Sequence, residues 1–173
     1  MLTFLGLDGD VAAERGAKLK ALQAYFKESD PRAFNMLGAT ELSTSNKSRG
    51  KRLIVNSHGN VASFAGQNPD AFFALLQGKG FGEGSFDEVW LMACQVGAQN
   101  QTNTIADNFA RDLKRVFVNN GITAKLYAPR GTLTYQVHTQ TESGQTYYVV
   151  DAMVIACPER NYPLSEGMLL VGS

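Results

Sequence analysis

Short apolar runs alternate along the chain with stretches whose apolar residues recur at helical spacing. Leu2 to Leu7 reads as a strand closed by Asp8-Gly9-Asp10, and Leu19, Leu22, Tyr25 and Phe26 mark one helix face that Ser29-Asp30-Pro31 stops. A short apolar patch, Phe34 to Leu37, precedes a polar stretch, Leu42 to Lys51, that reads as an exposed loop. Leu53-Ile54-Val55 is a continuous apolar run, as a buried parallel strand requires, and it ends in Asn56-Ser57-His58-Gly59. Pro69 to Gln77 predicts a helix, and Val89 to Cys94 a further apolar strand.

Ile105, Phe109, Leu113 and Val116 trace another helix face, ended by Asn119-Asn120-Gly121. Thr123 to Tyr127 reads as a strand. Thr132 to Gln140 alternates apolar and polar residues, Glu142-Ser143-Gly144 is a turn, and Tyr147 to Ala156 is the returning partner. This order predicts an α/β fold: a three-layer αβα sandwich with a mostly parallel sheet, plus a C-terminal antiparallel hairpin. No repeat or linker divides the sequence, so residues 1–173 are read as one domain, with a core of about 1–128 and a hairpin extension of about 131–156.

Composition narrows the function classes. Sixteen basic against sixteen acidic residues leave no net field for a phosphate backbone, so nucleic acid is not expected as a partner. No apolar run approaches the roughly 20 residues of a membrane helix, and the first residues lack the basic start and apolar stretch of a signal peptide. The expectation is a protein without a membrane partner, cytoplasmic or exported by a signal-independent route. Cys94, Cys157, His58 and His138 are scattered without paired ligand spacing, so neither a metal nor another cofactor is expected.

Two strands end in residues able to do acyl chemistry: His58 before Gly59, and Cys94 between Ala93 and Gln95-Val96-Gly97. The interval accommodates one strand, a crossover helix and a parallel neighbour, which puts both residues at the carboxyl edge of the sheet, where open α/β folds build sites. The order of strand, Ser57-His58-Gly59, helix, strand, Ala93-Cys94-Gln95-Val96-Gly97 and helix resembles the caspase-like cysteine peptidases. That group includes caspases, legumains, gingipains, clostripain-like enzymes and the self-cleaving protease domains of large bacterial toxins. Gly97 lies three residues after Cys94, a spacing nearer the clostripain-like and legumain-like members than the caspases.

That resemblance implies a cysteine endopeptidase with a Cys94–His58 dyad, possessing an oxyanion hole of the Gly59 and Cys94 N–H groups and acting on a protein or peptide, as a bacterial effector or a self-processing domain. It also implies substrate contacts at Ser57 and Met92. Clostripain-like enzymes that cut after basic residues carry an acid where this chain has Met92, which points to an apolar or small preference. Toxin-type members bind an inositol phosphate on a comparable hairpin, and a small-molecule activator stays open here.

Other readings stand beside it. Free Cys is among the most buried residue types and usually packs inertly. Cys157 and His138 are read as structural, Lys47, Arg49, Lys51 and Arg52 as a solvated loop, and Gly80, Gly82 and Gly84 as a connection before a strand. The same dyad would also suit a glutamine deamidase or acyl transferase, and the same fold a catalytically silent interaction module.

Overall fold

The computed structural model describes residues 2–7, 12–28, 31–35, 52–60, 62–98 and 108–172. In chain order the elements are β1 (Leu2–Gly6), α1 (Ala12–Phe26), β2 (Pro31–Asn35), β3 (Arg52–Asn56), α2 (Pro69–Gly78), β4 (Glu88–Met92), α3 (Phe109–Asn119) and β5 (Lys125–Pro129). They continue with β6 (Thr132–Glu142), β7 (Gln145–Ala156), β8 (Asn161–Pro163), α4 (Leu164–Gly167) and β9 (Met168–Leu170). The main sheet runs β2-β1-β3-β4-β5-β9, with β1 to β5 parallel and β9 antiparallel to β5. A second, antiparallel sheet runs β6-β7-β8.

Alternation along each central strand gives the main sheet two apolar faces. Leu53, Val55, Val89, Leu91, Leu126 and Ala128 pack against Phe72 and Leu76 of α2 and Leu113 and Phe117 of α3. Leu2, Phe4, Ile54, Trp90 and Met92 face the other way, onto Leu22 of α1 and onto Leu133, Ile155 and Tyr162 of the second sheet. The result is three layers, one outer layer being shared by α1 and the β6-β7-β8 sheet. Each fully buried side chain of this size stabilises the fold by about 1.5–3 kcal/mol relative to exposure.

The α/β class, the mostly parallel sheet and the antiparallel hairpin are those the hydrophobic pattern predicts. Three features go beyond it. Pro31, read as a helix stop, opens β2, an edge strand of the main sheet; proline is tolerated at a strand's first residue because the missing N–H need not join a ladder. The segment after the hairpin adds β8, α4 and β9, which no periodicity announced. β7 also carries a bulge: Gln136 pairs with Ala152 and Val137 with Val150, so Asp151 has no cross-strand partner. The polar stretch Leu42 to Lys51, and Ile105 of the second helix face, lie outside the described residues.

Candidate active site

β3 and β4 pair with Asn56 beside Met92, and the ladder continues one step further through the Ser57 N–H, which donates to Met92 O at 3.2 Å. His58 and Cys94 each stand two residues past that last registered pair. They therefore lie on neighbouring loops at the carboxyl end of the parallel sheet.

Gly59 and Ala93 bring the two loops together. A Cβ added to Gly59 would lie 2.9 Å from Ala93 Cβ and 2.8 Å from Val96 Cγ1, closer than side chains pack, so the loops approach because residue 59 is bare. The His58 carbonyl accepts the Ala65 N–H at 2.9 Å, and Asn60 Oδ1 accepts the N–H groups of Ala62 and Ser63, which folds the loop back on itself. The His58 side chain is exposed and Cys94 is half-buried. No backbone carbonyl among the described residues accepts the N–H of Gly59 or of Cys94.

The thiol has a partner other than the histidine. Cys94 Sγ donates to Leu133 O of β6 at 3.6 Å, and the Gln95 N–H donates to Gly131 O at 2.8 Å. Gln95 holds φ 60, a left-handed conformation that a non-glycine residue adopts only where its surroundings enforce it. On the far side of the turn, Ala110 N–H donates to Val96 O, while Asn108 caps α3 and donates to Ala98 O, so α3 anchors the turn as well.

The other predicted site residues sit less openly. The Ser57 hydroxyl donates to Leu7 O at 3.4 Å, tying the end of β3 to the end of β1. Met92 is 1 % exposed and its side chain lies in the core beneath the hairpin, so the inward-facing register of β4 leaves it no surface to offer a substrate. Among the described residues no group of three or more potential metal ligands forms. The histidine that holds a carboxylate is His138: its Nδ1 lies 2.5 Å from Asp151 Oδ2, and Gln140 Nε2 lies 3.0 Å from its Nε2, on the exposed hairpin.

Sequence reasoning missed the contribution of β6. Its carbonyls reach the Cys94 turn through backbone atoms, which residue identity does not advertise; the glycine at 131 was the one available signal. No family profile, curated protein or solved structure matches this chain.

Proposed function

We propose that the protein is a cysteine endopeptidase in which Cys94 is the nucleophile and His58 the general acid and base. The observation that carries this reading is the matched overhang of the two residues, each two positions past the paired end of adjacent parallel strands. In the reaction, the Cys94 proton passes to His58 and the sulfur attacks the peptide carbonyl. The Gly59 and Cys94 N–H groups, which have no backbone acceptor among the described residues, hold the oxyanion. His58 then gives its proton to the amine as the C–N bond breaks, and water hydrolyses the thioester to free the sulfur.

Site-resolved iodoacetamide labelling across pH tests the reading. The expected result is rapid labelling of Cys94 near neutral pH that falls at least about tenfold in His58→Ala, with cleavage of a peptide library abolished in Cys94→Ala. One observation favours a second reading, a silent interaction module: the thiol donates to Leu133 O. Slow labelling of Cys94, unchanged in His58→Ala, selects that alternative and rejects the peptidase.

A further inference from the structure

Three carbonyls on one edge of the β5–β6 corner receive the Cys94 turn. Pro129 O takes the Gly97 N–H at 3.1 Å, Gly131 O takes the Gln95 N–H at 2.8 Å, and Leu133 O takes the Cys94 thiol at 3.6 Å. The chain bends at Arg130 and Gly131 between β5 and β6, and three alternate carbonyls across that bend take the donors of the turn, which docks it on the corner. A second link runs between side chains, Gln95 Nε2 to Thr132 Oγ1 at 3.4 Å.

The corner is held between two bodies, with the Cys94 turn on one side and the end of β7 on the other. On the β7 side there is no room to spare at residue 131: a Cβ there would lie 2.3 Å from Ala156 O, 3.0 Å from Ala156 C and 2.7 Å from Cys157 Sγ. Two of these obstacles are backbone atoms, which cannot swing aside as a side chain can. Gly131 has no positive φ, so backbone freedom does not account for glycine at this position.

We propose that Gly131 is a positioning residue for Cys94: its bare Cα lets the β5–β6 corner seat against the end of β7, and that seat sets where Leu133 O meets the thiol. The proposal rests on the reading of Cys94 as the nucleophile for its functional meaning, whereas the seat itself does not depend on that chemistry. A side chain at 131 displaces β6 and withdraws Leu133 O, which removes the acceptor that holds the thiol and leaves the sulfur more open to reagent.

The test compares Gly131→Ala with wild type and with Gly82→Ala, where an added Cβ meets nothing within 4 Å. Iodoacetamide labelling of Cys94 is followed by mass spectrometry, with folding checked by a cooperative thermal melt. The expected result for Gly131→Ala is labelling at least about threefold faster near pH 7, with faster hydrogen exchange at the Gln95 and Gly97 amides, while Gly82→Ala matches wild type. A folded Gly131→Ala whose Cys94 labels less than about threefold faster, or whose Gln95 and Gly97 amides exchange as in wild type, overturns the proposal.

If Gly131→Ala does not fold, amide hydrogen exchange in the wild type decides. Gln95 and Gly97 amides at least about 100-fold slower than free-peptide rates uphold the seat, and faster exchange at either overturns it. The two hypotheses fail separately. A Cys94 that ignores His58→Ala but responds to Gly131→Ala defeats the peptidase reading alone, and the reverse pattern defeats the positioning role alone.

Discussion

Tyr135 Oη donates to Asn56 Oδ1 across 2.8 Å, joining the hairpin to the strand end from which His58 emerges. Asn56 is 2 % exposed, so the bond is made away from bulk solvent. The Lys18 ammonium of α1 lies 4.7 Å above the same ring, so one side chain ties together β3, β6 and α1.

Tyr135→Phe removes the hydroxyl and keeps the ring. Losing a hydrogen bond of this kind costs about 0.5–1.5 kcal/mol net, which for a chain of this size lowers the melting temperature by about 2–4 °C per kcal/mol. A thermal melt followed by circular dichroism checks it; a variant as stable as wild type would show that the bond contributes nothing net.

Gly59→Ala tests the approach of the two loops. Its new methyl meets Val96, Ala93 and the Ser63 carbonyl, at 2.8, 2.9 and 3.1 Å, so the His58 loop has to retreat from the Cys94 loop. Overpacking of this kind costs about 1–3 kcal/mol. Cys94 labelling in this background should no longer respond to His58→Ala; a full response in the double variant would mean that the two loops tolerate separation.

How much of this was readable beforehand follows from which atoms carry the information. The strands ending at Asn56 and Met92 announce themselves through unbroken apolar runs, and the helix at Pro69 through Phe72, Phe73, Leu75 and Leu76, whereas its Asn68 cap, whose side chain accepts the Ala71 N–H, shows only in the folded chain. β8 and β9 have three residues each, too few for any period to register, and their places come from pairing with β7 and β5. β2 hides behind a proline that equally well ends a helix. Within the site, His58, Gly59 and Cys94 carry recognisable side-chain chemistry or the lack of it. The carbonyls of Pro129, Gly131 and Leu133 are the same atoms every residue has, and only the folded chain shows which of them matter.

Cys157 should be the slow cysteine. Burial pushes its thiol above the ordinary range and Glu159 adds to the effect, while Arg130 pulls the other way by charge and hydrogen bond. A raised thiol is protonated over a wider pH range, so Cys157 should need more alkaline solution than a free cysteine peptide to label at the same rate. Arg130→Gln removes the opposing pull and should slow it further. The same mass-spectrometric pH series reads both, and a Cys157 that labels faster than the free peptide contradicts the assignment.

The hairpin turn offers a gain in stability. Ser143 and Gly144 hold φ 50 and 77, the two positive values of the mirror-image turn that suits the twist of paired strands. Asparagine adopts the first of these more readily than serine. Ser143→Asn should raise stability by about 0.5 kcal/mol, seen as a higher denaturant midpoint with an unchanged slope.

The pairing of Asn56 with Met92 also says what a search for relatives of this protein ought to measure. Thirty-six residues separate His58 from Cys94 because the same number separates Asn56 from Met92. A chain with a longer or shorter crossover helix would change that interval and leave the two overhangs equal, whereas one residue inserted after either strand would leave the interval nearly untouched and make them unequal. If the two residues act as the proposed pair, the quantity kept among distant kin is the overhang past the paired ends, so such kin are better sought by aligning strand ends than by matching the distance between the motifs.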